Sequence, residues 1–183
     1  MSIIFLIFDL KGVVLFIKTW VFIMFLATID FGLNMLRPQL LSWPLERVDK
    51  EKYQIAEKLN YNPLVKKGPY TFWVSYSPLF NLRTASMAVN PRWQGNIFLS
   101  LSSLKEGPHF DAAIAHEMGH FEGCPPKNIC FSDFDADEFA AKMVGPEKTL
   151  ALLRYMSKTH GEYEGGNQRI HAMENRVIST ESR

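Results

Sequence analysis

The chain opens on an almost unbroken apolar stretch. Ile3 to Phe8 is wholly apolar, Asp9 and Lys11 interrupt, and Gly12 to Ile29 is apolar apart from Lys18 and the threonines. A run of ~20 apolar residues is long enough to cross a bilayer, and Gly12 to Leu36 suffices if Lys18 snorkels toward an interface. Trp20, close to Lys18, suits a headgroup boundary. The extreme N-terminus carries no positive charge, Asp9 breaks the apolar run and no small-x-small site follows, which argues against a cleavable signal peptide. Residues 1–36 therefore read as a membrane anchor. The competing reading is a long buried or interfacial helix with Lys18 and Asp30 facing water.

Beyond the anchor the pattern becomes that of a folded domain. Residues 37–44, bounded by Pro38 and Pro44, read as a linker, with Trp43 at the membrane surface. From residue 45 to 183 the chain is read as one domain. Leu45, Val48, Ile55 and Leu59 stand among charges and predict an amphipathic helix over 45–59. Asn60 to Pro69 reads as loop. Tyr70 to Tyr76 is rich in aromatic and β-branched residues and predicts a strand. Thr84 to Val89 and Asn96 to Leu101 predict two more, joined by a turn over 90–95. The last of these is expected to form a sheet edge along a cleft, where an extended peptide could add as a further strand. Pro108 is expected to open the next helix.

That helix carries the chemistry. In His116-Glu117-Met118-Gly119-His120 the two histidines stand four apart, so at ~3.6 residues per turn both imidazoles lie on one face and can reach one metal ion. Glu117 falls beside them, where a carboxylate can take a proton from a zinc-activated water. Gly119 is read as removing a side chain near the metal, and Gly123-Cys124-Pro125-Pro126 as ending the helix. The competing reading is a surface helix with two solvated histidines.

Composition narrows the field. The 183 residues have a formal net charge of +1 and no basic run with interleaved aromatics, so nucleic acid is not an expected partner. The two cysteines, Cys124 and Cys130, are too few for a disulfide scaffold. A zinc-ligand role for them is weaker than a plain loop role, since they lack a Cys-x-x-Cys step. Arg37, Arg47, Lys50 and Lys52 follow the apolar segment and weigh the domain toward the cytoplasmic side of a single-pass protein.

A catalytic zinc site needs a third protein ligand and an open position. Downstream, Phe134, Phe139, Ala140 and Met143 mark a helix, with Asp133 and Asp137 on one face. Asp133 is the expected third ligand, with Glu138 or Asp135 as substitutes if the register differs, and Asp137 the carboxylate that receives a ligand histidine N–H. An acidic, solvated first turn is the competing reading.

With these residues in place, the chain resembles the CAAX prenyl protease and HtpX-like zinc endopeptidases. In that family a His-Glu-x-x-His helix precedes one reading Glu-Phe-x-Ala-Asp-x-x-Ala, then Gly and a leucine-rich helix. The counterparts are His116 to His120, Asp133 to Ala140, Gly145 and Leu150 to Leu153. The resemblance implies an α+β, minimal zincin-like metallopeptidase domain with an N-terminal membrane helix. It also implies a Zn2+ cofactor, a protein or peptide substrate, and His160 and Arg169 as candidate substrate or oxyanion contacts. There are three departures: Asp133 stands for glutamate, the spacer Phe121 to Ser132 is short, and Gly161 follows His160 where proline is usual. His109 and His171 belong to no motif and read as structural. The soluble ImmA-type peptidases, with a similar short spacer, are a close competitor. A zinc-stabilised binding or adaptor module is the alternative outside enzymes.

Overall fold

The computed structural model describes the backbone of residues 10–36, 41–77, 87–88, 95–105, 107–122, 132–160 and 165–181, in an α+β arrangement of seven α-helices and one four-stranded sheet. Helix α1, Leu10–Leu36, is 27 residues long. Its described side chains include Phe16, Ile17, Val21, Phe22, Ile23 and Phe25, all more than half exposed. No helix among the described residues is long and apolar enough to cross a membrane.

The expected linker is in part a strand. Ser42–Pro44 (β1) pairs antiparallel with Thr71–Ser75 (β2), with Trp43 opposite Val74. The proline is tolerated because β1 lies at a sheet edge, where its missing N–H breaks no ladder. Met87–Ala88 (β3) and Asn96–Leu99 (β4) complete a sheet of order β1-β2-β4-β3, with β2 and β4 parallel and β3 antiparallel to β4. Residues 84–86 and 89–94 of the expected hairpin lie outside the described residues. The edge-strand expectation for Asn96 to Leu101 is corrected: β4 is an interior strand, and β3 is the edge beside it. Ile97, Phe98 and Leu99 are buried in succession, as a strand covered on both faces requires.

The single helix expected over 45–59 is two helices, Leu45–Val48 (α2) and Lys50–Asn60 (α3). Asp49 separates them in an extended conformation and its carboxylate accepts from the Lys52 N–H at 3.0 Å, so it caps α3. The helix with the histidine pair is Phe110–Glu122 (α4); Pro108 lies in the preceding 3-10 turn, Gly107–His109, rather than in its first turn. Asp133–Val144 (α5) follows, capped by the Ser132 hydroxyl, which accepts from the Asp135 N–H. Gly145 ends α5 at φ +102°, a conformation side chains disfavour, and Pro146 opens Pro146–His160 (α6) at its first position. Gly166–Glu181 (α7) closes the described chain.

The main core joins Leu45, Ala56 and Leu59 to Phe72, Val74, Ile97 and Leu99 of the sheet and to Phe110, Ile114 and Met118 of α4. It holds one face of α4 against the sheet. A second cluster, Ala141, Leu150, Leu153 and Met173, ties α5, α6 and α7 together. The candidate site lies where the α4 and α5 faces meet.

Candidate metal centre

The approach of α4 to α5 is set by one residue. A Cβ on Gly119 would lie 2.7 Å from Ala136 Cα and 2.8 Å from Ala136 O, inside any allowed contact. Gly119 therefore serves helix-to-helix approach, which corrects the expectation that it clears space for the metal. With the backbones this close, side chains from both helices reach a common point.

At that point His116, His120 and Asp133 each present one donor atom, all within 4.8 Å of one another. Asp133 Oδ1 is 3.9 Å from His116 Nε2 and 3.6 Å from His120 Nε2. Donors ~2.0–2.2 Å from a tetrahedral zinc ion stand about 3.4 Å apart, a spacing that the two Asp133 separations approach to within about half an ångström. Two imidazoles and a carboxylate are a donor set suited to zinc. The closeness of the two helices brings the short Asp133 side chain within 4 Å of both Nε2 atoms, at 3.6 and 3.9 Å.

Asp137 stands where the sequence anticipates it. Its Oδ1 is 2.8 Å from His116 Nδ1, which leaves Nε2 directed to the metal point. Burial acts to raise the Asp137 carboxyl, but the Arg169 guanidinium and the His116 ring outweigh it and hold it below the usual range. For His116, burial disfavours the charged ring, yet its bond to Asp137 and the charge of Glu117 raise it above the ordinary imidazole value.

Glu117 is 7% exposed, and burial pushes its carboxyl up against the opposing pull of His116 and His120. Asp133, Asp137 and Glu117, with Arg169 as the facing cation, leave the cluster two units negative when all three acids are ionised. A divalent cation would neutralise it, which is a second, electrostatic fit to the group.

Arg169 is placed otherwise than anticipated. It is 4% exposed; its Nε and Nη2 donate to the two oxygens of Asp137 at 2.7 and 2.8 Å, and Nη1 donates to Asp133 Oδ2 at 2.7 Å. It is a buried partner of the acidic pair, not an open substrate or oxyanion contact. The sequence did carry a signal for this: Arg169 shares a helical face with Met173 and Val177, both part of the apolar seam. His160 ends α6, and its side chain lies outside the described residues, as do Cys124 and Cys130. Glu138 pairs with Arg176, and Asp135 is exposed, so neither joins the donor set. His109 stacks on Tyr155 at 5.2 Å and the exposed His171 pairs with Glu174 at 3.2 Å, both away from the donor cluster.

The C-terminal turn of α4 is also fixed. Lys67 Nζ donates to the Phe121 carbonyl, and the Glu122 carboxylate accepts from the Lys67 N–H and the Tyr70 hydroxyl, each at 2.7 Å. A cation on the last carbonyls suits the helix dipole and ties α4 to the start of β2. Sequence reading missed these contacts because their partners lie more than 50 positions apart.

Comparison with protein-family models, with curated proteins and with solved structures returns no match.

Proposed function

We propose that the chain is a zinc-dependent endopeptidase, with His116, His120 and Asp133 holding the ion and Glu117 as general base. The observation that carries this reading is the convergence of two histidine Nε2 atoms and one aspartate oxygen beside a buried glutamate. When bound, zinc would lower the pKa of a water molecule and polarise a peptide carbonyl. Glu117 would accept the proton from that water and return it to the leaving amine, work for which its raised carboxyl is suited. Asp137 would keep the His116 ring in the orientation that turns Nε2 to the ion. The zincin-like architecture and the likeness to CAAX prenyl and HtpX-like proteases belong to the same proposal.

Glu117→Gln decides the role of the glutamate. Zinc content is expected to be unchanged, while cleavage of a peptide library falls by at least about 10²–10⁴-fold. Retained proteolysis would remove Glu117 from the mechanism. One zinc per chain with no turnover in the wild-type protein would instead favour the adaptor reading.

The same proposal puts α1 in a membrane, with the domain on the cytoplasmic side. Its support is that the described side chains of α1 are apolar and exposed around the helix apart from Lys18, Asp30 and two threonines, whose hydroxyls donate to the Leu15 and Met24 carbonyls of the same helix. Trp43 and Tyr76, exposed and edge-to-face at 6.4 Å, are of the type found at headgroup level. Alkaline extraction of membranes tests this: the chain should stay in the pellet, and release into the supernatant would favour the soluble ImmA-like alternative.

A further inference from the structure

An aspartate can bind a metal ion through one oxygen or both, and the choice decides whether a place remains for water. Building on the zinc reading, we infer that Arg169 is a positioning residue that restricts Asp133 to one ligating oxygen. Asp133 Oδ2 accepts from Arg169 Nη1 at 2.7 Å, whereas Oδ1 is the atom facing the two histidines, at 3.6 and 3.9 Å. For Oδ2 to turn to the ion, a charge-assisted bond to a guanidinium that is 4% exposed would have to break. The other two guanidinium donors are committed to Asp137, so the fork cannot follow the moving oxygen.

The consequence is a coordination number. One oxygen from Asp133 and two imidazoles make three protein ligands with a fourth place open, the arrangement of catalytic zinc sites. Two oxygens would fill or crowd that place. The same guanidinium holds Asp137, which orients His116, so one side chain on α7 governs two of the three ligands. An aspartate in this position is free to swing because half of its side chain is exposed, so it needs a partner to fix it.

The test uses the full chain with cobalt(II) in place of zinc. Four-coordinate cobalt gives intense visible bands, and five- or six-coordinate cobalt gives weak ones. The wild-type protein is expected to show the intense spectrum. R169Q, and R169K, which keeps the charge but not the fork, should show the weak one. Zinc affinity in both should fall about 10–100-fold, with the far-UV circular dichroism unchanged. A weak spectrum in the wild-type protein would overturn the inference whether or not the variants fold. A folded R169Q with the wild-type spectrum and affinity would overturn it too, leaving Arg169 a packing bridge. Failure of the wild-type protein to take up either metal would remove the zinc reading itself, and this inference with it.

Discussion

Gly119 sits inside α4, where exchange of glycine for alanine ordinarily stabilises a helix by about 1 kcal/mol. Here the added methyl would meet the Ala136 backbone at 2.7–2.8 Å. Overpacking of this kind costs about 1–3 kcal/mol, so strain should win over propensity. Gly119→Ala is therefore expected to lower the urea midpoint and weaken zinc binding together, because the displaced helix carries Asp133. A variant as stable as the wild type would show that the two helices can part without harm. The residues of the His-Glu-x-x-His motif were legible because a helix fixes their relation locally. The reason for the glycine among them was not, since its neighbour Ala136 comes from another helix.

Among elements, the break at Asp49 is the clearest departure from the sequence pattern. The apolar spacing of Leu45, Val48, Ile55 and Leu59 suits one helix, but the aspartate side chain competes for the backbone N–H of Lys52 and starts a new one. The Lys52 N–H lowers the Asp49 carboxyl despite partial burial. A carboxyl depressed in the folded state stabilises fully above its unfolded value of ~3.9, and this is lost as pH falls through the lower folded value. Asp49→Ala should cost about 0.5–2 kcal/mol at pH 7. In denaturation series the gap to the wild type should stay constant down to about pH 5 and shrink below pH 4. A gap that widened with acid would rule out the carboxylate cap. The interior place of β4 was half visible in the consecutive apolar run Ile97-Phe98-Leu99, which fits burial on two faces better than an edge.

On the scale of the whole molecule, the metal point lies on the seam between α4 and α5, where Phe139 and Met143 of α5 already pack against the main core. Helix α4 belongs to the core with the sheet, which also takes in Leu152 of α6, while Ala141 of α5, Leu150 and Leu153 of α6 and Met173 of α7 form the second cluster. An ion bound by His116, His120 and Asp133 would cross-link α4 to α5. Ligand linkage predicts about 2.7 kcal/mol of stabilisation at a free zinc concentration 100 times Kd. For a chain of this size that is about 5–10 °C in the thermal midpoint. Differential scanning calorimetry with and without chelator checks this, and an unchanged midpoint would count against a bridging ion.

A second long-range tie joins the apolar helix to the domain: the Ser77 hydroxyl donates to Asp30 Oδ2 at 2.8 Å. Ser77 is fully buried, so Ser77→Ala should destabilise by about 1–3 kcal/mol, readable as a lower urea midpoint. The sequence pattern offers Asp30 only as a group facing water. Its partner is 47 positions away, and nothing in the local pattern announces it.

The sequence by itself determined the histidine pair, the glutamate beside it, the helix bearing Asp133 and Asp137, and the apolar N-terminal segment. Each follows from a period within a single element, and helical spacing makes such relations independent of the rest of the fold. The tertiary structure decided what crosses between elements: Asp133 within reach of both histidines, Gly119 against Ala136, Arg169 turned inward onto two carboxylates, and β4 in the middle of the sheet. Those depend on how closely faces pack, and packing distance is set by all the contributing surfaces at once, which no local pattern contains.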